Sequence, residues 1–124
     1  MIVLLDTHAL LWALEDSDQL SSAARTLLED AGTVVLVSAV SGWEISIKQA
    51  NGRLEAPDDL EAVIEAVGFT KRPVTFADAR RLRTLPLHHR DPFDRMLVAQ
   101  ALEDGVPIVS RDPEIAKYAA HVIW

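Results

Sequence analysis

Acidic side chains follow two strand-like segments of this sequence, at positions where they could bind a metal ion or a phosphate. Asp6 comes directly after the apolar run Ile2–Leu5, and Asp112 comes two residues after the run 106–110. Ligands of open α/β sheets bind beyond the carboxyl ends of the strands. If both runs are strands of one parallel sheet, we expect the two carboxylates to lie at the same edge.

Further polar side chains are predicted at this edge. Asp91 and Asp94 are three residues apart at the start of a predicted helix, so their side chains project from nearly one face. Ser38 follows a second strand-like run, 33–37, and Ser110 ends the run 106–110. The sequence thus indicates a cluster of carboxylates with two small hydroxyl groups beside it.

Glu44 has a position that needs a physical explanation. In a helix with about 100° per residue, Val40, Trp43 and Ile47 form an apolar stripe, and Glu44 borders it at roughly 40° from Val40. A carboxylate beside a buried stripe is costly unless a metal ion or a strong hydrogen-bond partner compensates for its burial. The alternative is an ordinary helical ion pair with Lys48.

Carboxylates gathered in one pocket repel one another, so they must take up protons or bind a cation. Hard divalent cations with oxygen ligands suit such a site, with Mg²⁺ first and Mn²⁺ as its substitute. A site of this kind activates water and stabilises the charge that develops on a phosphodiester during hydrolysis. The cation also turns an acidic cleft into one that accepts phosphate.

Helix capping explains the same acids one at a time. Asp6 can cap the first helix, Asp91 can cap a helix that begins at Pro92, and Asp112 can cap a short helix after it. Asp94, in a first helical turn, is favoured by the helix dipole. Capping does not explain why acids recur at strand ends, and both interpretations stay open at this point.

Strand-like and helical segments alternate along the chain. Strands are predicted at Ile2–Leu5, 33–37, 73–75, 106–110 and 121–124. Helices are predicted at 8–15, from Ser21 or Ser22 to 30, from Ser38 or Ser41 to 50, from a capping box of Asp58 and Glu61 to 67, at Phe76–Leu82, and at 92–103 and 113–119. This alternation predicts an α/β fold with a mostly parallel sheet covered on both faces.

Composition limits the class of protein. The chain has 124 residues, which suits a single domain over 1–124, and 49% of them are hydrophobic. It has no cysteine, which excludes disulfides and cysteine-based zinc sites and favours the cytoplasm. No apolar stretch approaches the ~20 residues of a membrane span. The net charge of -7 opposes nucleic-acid binding, unless cations or a basic partner neutralise it.

Four motifs, taken in order, resemble the PIN-domain ribonucleases, and specifically the VapC-type toxins of bacterial toxin–antitoxin pairs. The motifs are Leu5-Asp6-Thr7-His8, Ser38-Ala39-Val40-Ser41-Gly42-Trp43-Glu44-Ile45, Asp91-Pro92-Phe93-Asp94-Arg95 followed by Ala99-Gln100-Ala101, and Ser110-Arg111-Asp112. Each motif alone is unspecific, but their order and intervals cover essentially the whole chain.

The resemblance implies a three-layer α/β/α sandwich around a short, mostly parallel sheet. It places the catalytic metal site on four acids: Asp6, Glu44, Asp94 and Asp112. Ser38 and Ser110 correspond to hydroxyls that support the site. Asp91 corresponds to an auxiliary acid that occurs in one variant of the family motif.

The implied chemistry is endonucleolytic RNA hydrolysis by a metal-activated water. The implied partners are RNA, a cognate antitoxin whose basic tail enters the acidic groove, and a second copy of the chain in a homodimer.

Other residues near the motifs allow two interpretations. Arg90 and Arg95 could hold RNA phosphate, or they could pair with nearby acids. His88 and His89 could contact RNA phosphate, assist proton transfer or ligate metal, or they could fix the loop through a hydrogen bond. Trp12 and Trp43 are interpreted as core or dimer-interface packing in preference to base stacking, and His8 as structural. The cluster Arg80, Arg81 and Arg83 is interpreted as a solvated face in preference to an RNA-binding edge.

Three other classes of protein are alternatives to a nuclease. A phosphatase of the haloacid dehalogenase type needs a second acid two residues after the first, where this chain has His8. A receiver domain needs paired acids and a later strand-end lysine, which are not found. A catalytically silent PIN-like module that binds RNA or protein is the alternative that remains, although all four acids are present.

Overall fold

The computed structural model describes all residues from Met1 to Trp124 and contains one five-stranded sheet. The strands are β1 (Ile2–Leu5), β2 (Val34–Ser38), β3 (Thr70–Arg72), β4 (Ile108–Val109) and β5 (Val122–Ile123). Their order across the sheet is β3-β2-β1-β4-β5, and every neighbouring pair is parallel. The predicted parallel sheet is confirmed.

Six α-helices accompany the strands: α1 (Thr7–Glu15), α2 (Ser22–Glu29), α3 (Ala39–Ala50), α4 (Leu60–Ala66), α5 (Phe76–Leu82) and α6 (Pro92–Asp104). Local signals set several of their ends. The side chains of Ser21 and Ser38 cap α2 and α3, Pro92 opens α6, and Gly105 ends α6 with φ 65°. None of the helices is both long and apolar enough to cross a membrane.

The sheet lies between two layers of helices. Val3 and Leu5 of β1 belong to a buried cluster with α1 and α2, whereas Leu4 between them belongs to a second cluster with α6. Helix α3 joins the two layers, because Ile45 packs in the first cluster and Val40 in the second. The alternation along β1 is that of a strand buried on both faces, and it confirms the three-layer α/β/α sandwich.

The strand order reverses between β1 and β4, and ligands of open α/β sheets bind in the crevice at such a point. Leu5 pairs with Val109, and the backbone N–H of Asp6 donates to the Val109 carbonyl at 3.1 Å. Asp6 and Ser110 therefore leave neighbouring strands side by side. This is the arrangement predicted for the two strand ends.

Three strand or helix predictions differ from the structure, one in position, one in length and one in the type of helix. The strand predicted at 73–75 is β3, Thr70–Arg72, because Pro73 has no N–H to donate to the sheet. The strand predicted at 106–110 is reduced to Ile108–Val109. In place of a helix over 113–119 there is one 3₁₀ turn, Ile115–Lys117, because the chain must reach β5 a few residues later.

The predicted capping box of α4 does not form. Asp59, not Asp58, precedes the helix, and its Oδ1 accepts the Ala62 N–H at 3.2 Å. Leu60, the first helical residue, packs against the cluster that holds β1 and α1. Because of this packing, the helix begins one residue later than the predicted capping box of Asp58 and Glu61 suggests.

Candidate active site

Acids from four separate segments meet at the carboxyl end of the sheet. They line a cavity of about 190 Å³ that contains no hydrophobic side chain. We call it the acidic cavity; its lining residues are Asp6, Thr7, His8, Glu44, Lys48, His89, Asp91, Asp94 and Asp112. The four acids implied by the resemblance are all among them, together with Asp91 and His89.

Asp6 is fixed by its own helix. It follows β1 and caps α1, with Oδ1 accepting the Ala9 N–H at 2.8 Å. Its side chain is buried, and this burial raises its pKa, while a hydrogen bond from Ser110 opposes the shift and the charge of Asp112 adds to it. Asp6 is therefore bonded to Ser110 and senses the charge of Asp112 at the β1–β4 crevice.

Asp94 lies in the first turn of α6 and is bound by a histidine. Its Oδ2 is 2.8 Å from Nε2 of His89. Burial raises the pKa of Asp94 to about 6; the hydrogen bond from His89 lowers it, and the carboxylates of Asp91, Glu44 and Asp6 raise it further. This electrostatic coupling indicates that the acids repel one another across the cavity.

Asp112 completes a small group around the same histidine. Its Oδ2 lies 3.7 Å from Nε2 of His89, and its Oδ1 accepts the Glu114 N–H at 2.8 Å. Ser110 steadies it, because Ser110 Oγ accepts the Asp112 N–H at 3.0 Å. His89, Asp94 and Asp112 each offer a ligand atom, and these atoms lie within 4.8 Å of one another.

Glu44 is buried, with 4% of its surface exposed. Its Oε1 accepts from the Thr7 hydroxyl at 2.6 Å and its Oε2 accepts from Lys48 at 2.7 Å. The helical ion pair offered as an alternative therefore exists, and it exists inside the acidic cavity. Thr7 and Lys48 are cavity residues that motif reasoning did not assign to the site, although the spacing of Glu44 and Lys48 signalled their pairing.

Glu44 was expected to be buried because it lies beside a buried apolar stripe, and this reason is wrong in detail. Trp43 and Ile47 of the apolar stripe are 60% and 40% exposed, so most of the stripe faces outward. Glu44 lies on the buried side of α3 with Val40 and Ile45. Helix α3 packs into both cores, and this turns the carboxylate toward the cavity.

Asp91 combines capping with a place in the cavity. Its Oδ1 accepts the N–H groups of Phe93 at 2.8 Å and Asp94 at 3.1 Å. The capping predicted for Asp91 and Asp6 is therefore present, and both residues also line the acidic cavity.

Ser38 does not line the acidic cavity. Its hydroxyl donates to Gln100 Oε1 at 2.5 Å and accepts the Val40 N–H at 3.0 Å, so it joins α3 to α6. It borders a different cavity of about 530 Å³, whose lining includes Asp58 and Lys71 but none of the four acids implied by the resemblance.

The two arginines singled out as possible RNA contacts lie outside the acidic cavity. Arg90 and Arg95 line a separate pocket with Leu87. Arg95 donates to the Pro86 carbonyl and to the Tyr118 hydroxyl, each at 3.0 Å. These bonds give Arg95 the loop-fixing role offered as the alternative, whereas Arg90 is exposed.

A buried polar network outside the cavity has no counterpart among the predicted residues. Arg72 at the end of β3 donates to both oxygens of Asp78, at 2.9 and 2.7 Å, and to Asp104. Burial acts to raise the pKa of Asp78, but hydrogen bonds from Arg72, Thr75 and Gln100 outweigh it and leave the pKa below its ordinary value. The network joins β3, α5 and α6.

The donor set of the acidic cavity suits a hard divalent cation. It presents carboxylate oxygens with the imidazoles of His8 and His89, and the charges of Asp91, Glu44 and Asp6 add to the burial that raises the pKa of Asp94. Carboxylates with few other donors are the ligands of Mg²⁺ and Mn²⁺. The residues present therefore fit such an ion.

Comparisons with known proteins concern the family and the fold of this chain. Residues 3–121 match the family model of the PIN domain. Ribonuclease VapC22 of Mycobacterium tuberculosis is 30% identical, over 94% of this chain and 91% of that protein. The crystal structure of VapBC2 from Rickettsia felis, bound to a DNA fragment from their promoter, has a TM-score of 0.73. The match covers 99% of this chain and 98% of that chain at 10% sequence identity, so the likeness concerns the fold.

Proposed function

Since this chain belongs to the PIN-domain family and, within it, to the VapC-type ribonucleases, we propose that it is a metal-dependent endoribonuclease and the toxin of a toxin–antitoxin pair. The observation that carries the proposal is the acidic cavity, in which Asp6, Glu44, Asp94 and Asp112 converge from distant parts of the chain. We propose that residues 1–124 act as one nuclease domain.

Asp6, Glu44, Asp94 and Asp112 are proposed to hold the metal, with Mg²⁺ as the ion and Mn²⁺ as its substitute. When bound, such an ion lowers the pKa of water and balances negative charge on a phosphodiester. The chain supplies the rigidity of the site. Backbone N–H groups hold one oxygen of Asp6 and one of Asp112 in place, and Ser110 contacts both residues.

His89 is proposed to orient Asp94. At a pH above the pKa of Asp94 the carboxylate is ionised and can only accept, and Nε2 of His89 is then the donor in the 2.8 Å bond to Asp94 Oδ2. The backbone N–H of His89 donates to the Tyr118 hydroxyl at 3.0 Å, which fixes the loop that carries the ring. Asp91 serves as an auxiliary acid that also caps α6.

The net charge of -7 suits a basic partner. We propose that a cognate antitoxin with a basic tail covers the acidic cavity and that the chain forms a homodimer. The VapBC2 structure supports an antitoxin partner. Arg90 remains a proposed phosphate contact, because it is exposed and no acid pairs with it. The proposed location is the cytoplasm.

The test is cleavage of RNA by purified protein that is free of any antitoxin, with Mg²⁺ or Mn²⁺. We expect cleavage, and we expect it to disappear with EDTA and in the Asp94→Asn variant. Asp18→Asn is the matched control, because Asp18 is exposed and lies outside the cavity; it should cleave like the wild type. Cleavage in EDTA, or equal cleavage by Asp94→Asn, would contradict the proposal. RNA binding without cleavage at any metal concentration would favour the catalytically silent module.

A further inference from the structure

A second pocket opens beside the acidic cavity and shares part of its lining. This rim pocket has a volume of about 200 Å³ and is lined by Asp6, His8, Trp12, Arg111, Asp112 and Pro113. Asp6, His8 and Asp112 line both spaces. Whatever occupies the rim pocket therefore lies next to the proposed metal site.

Planar side chains form the wall of the rim pocket. The ring of His8 stacks on Trp12, with centroids 5.5 Å apart and an interplanar angle of 23°. The guanidinium of Arg111 lies over the Trp12 ring, with Cζ 4.4 Å from its centroid. Trp124 packs edge-on against Trp12 at 5.7 Å. Trp12 is thus half-buried and held in place. The planar groups of His8 and Arg111 rest on it, are exposed and face the solvent.

Arg111 is an unpaired cation at this rim. No carboxylate lies within ion-pair distance, and the polar partner of its guanidinium is the side-chain oxygen of Gln19 at 3.3 Å. An arginine stays charged at any working pH, and its plane can both stack and bind phosphate. In a chain with a net charge of -7, this places a guanidinium without a carboxylate partner where an RNA substrate would approach the acids.

We propose that the rim pocket binds one nucleobase of the RNA, adjacent to the scissile phosphate, by stacking it on His8 and Arg111. This inference rests on the proposed ribonuclease function. Unstacked RNA bases are bound by aromatic rings and guanidinium planes, and such stacking tolerates different bases. Trp12 then keeps the packing role predicted from sequence, but it packs beneath a binding surface, and His8 and Arg111 become residues that bind substrate.

The test compares RNA with a strand that has no bases, and it compares the intact pocket with variants that lack one of its stacking groups. Fluorescence anisotropy in Mg²⁺, on the Asp94→Asn background, measures binding of two labelled probes of equal length: a random-sequence RNA and a fully abasic ribose–phosphate strand. The intact pocket should bind the RNA about tenfold more tightly than the abasic strand. Arg111→Lys keeps the charge and loses the plane. This variant and His8→Ala should lose most of that preference, while their affinity for the abasic strand stays within about twofold.

Arg53→Lys is the matched control, because Arg53 is exposed and lines neither cavity; it should keep the full preference. Thermal unfolding of each variant checks the fold. An undiminished preference in Arg111→Lys, or equal weakening of both probes, would overturn the inference. Cleavage of RNA by the chain with intact acids is measured in parallel. If RNA is cleaved and no preference exists, only the rim pocket is wrong; if RNA is neither bound nor cleaved, the proposed function fails with it.

Discussion

A carboxylate has two oxygens, and at Asp6 and Asp91 one oxygen caps a helix while the other takes no part in the cap. In both residues Oδ1 accepts the backbone N–H bonds, and Oδ2 accepts no backbone N–H. Capping and metal binding are therefore compatible at these positions. This explains why the sequence supported both interpretations: a residue type favoured for the start of a helix is also the residue type of a metal ligand.

The pKa of Asp94 predicts how the metal-free protein responds to pH. Its folded pKa of about 6 lies above the ordinary 3.8, so the folded state binds this proton more tightly than the unfolded chain. The resulting stability is fully present below pH ~4 and is lost as the pH rises through ~6. Relative to Asp94→Asn, the wild-type free energy of unfolding should fall over this window by on the order of 1 kcal/mol, allowing for solvent screening. Urea unfolding in EDTA measures it, and parallel pH profiles for the two proteins would contradict it.

In the absence of metal, Lys48 is the cation that pairs with the buried carboxylate of Glu44. Lys48→Met should lower the free energy of unfolding by about 1–3 kcal/mol, because it leaves a buried carboxylate without its partner. Mn²⁺ should then raise the melting temperature of this variant more than that of the wild type, because a cation bound beside Glu44 replaces the lost charge.

Lys117→Met provides the comparison for Lys48. The pair of Lys117 with Glu114 is exposed, so its loss should cost less than about 1 kcal/mol and should not alter the response to Mn²⁺. Differential scanning fluorimetry with and without Mn²⁺ measures both effects. Equal losses in the two variants, with equal responses to Mn²⁺, would remove Lys48 from the site.

At the scale of elements, helices were predictable where their signals are local. Ser21, Ser38, Pro92 and Gly105 mark helix ends within one turn of the chain, and the structure uses all four. The strand β3 was not predictable in this way, because its residues Thr70–Arg72 are exposed or half-buried and are strand only through pairing with β2. A strand that forms only by pairing with a neighbouring strand shows little hydrophobic pattern in its own sequence.

The network of Arg72 was beyond sequence reasoning for a related reason. Its members come from β3, α5 and α6, and no spacing along the chain shows that these elements meet. The acids of the cavity were easier to anticipate, because the carboxyl ends of parallel strands meet at one edge whatever the details of packing. The sequence left His89 open between phosphate contact, proton transfer, metal ligation and a structural role, since its contact with Asp94 depends on how that loop folds back.

This network should determine how firmly α5 and α6 are held together. Asp78 is fully buried and accepts from Arg72 and Gln100. Asp78→Ala leaves buried donors without partners and should lower the free energy of unfolding by about 3 kcal/mol. Glu103→Ala breaks the more exposed pair with Arg81, which joins the same two helices, and should cost less than about 1 kcal/mol. Chemical denaturation measures both, and a small effect of Asp78→Ala would show that apolar packing alone holds α5 on α6.

At the scale of the whole molecule, charge and exposed apolar surface act in opposite directions on self-association. Two copies that each carry a net charge of -7 repel one another, and this repulsion is screened by salt. Helix α3 nevertheless exposes Trp43 and Ile47 on one face, with Phe93 packed edge-on against Trp43 at 4.9 Å between centroids. Exposed aromatic side chains of this kind are enriched at interfaces between proteins.

These opposing terms make the proposed homodimer testable. Sedimentation equilibrium should show a dimer whose association strengthens as salt is raised, because screening weakens the repulsion while apolar contacts persist. Trp43→Ser should weaken association by about tenfold or more, since a buried aromatic anchor contributes at least that much to binding. Phe76→Ser is the matched control, because Phe76 is 90% exposed and lies on a different helix; it should leave the dimer intact. A wild type that stays monomeric at every salt concentration would refute the homodimer, and equal weakening by both variants would place the interface elsewhere than on α3.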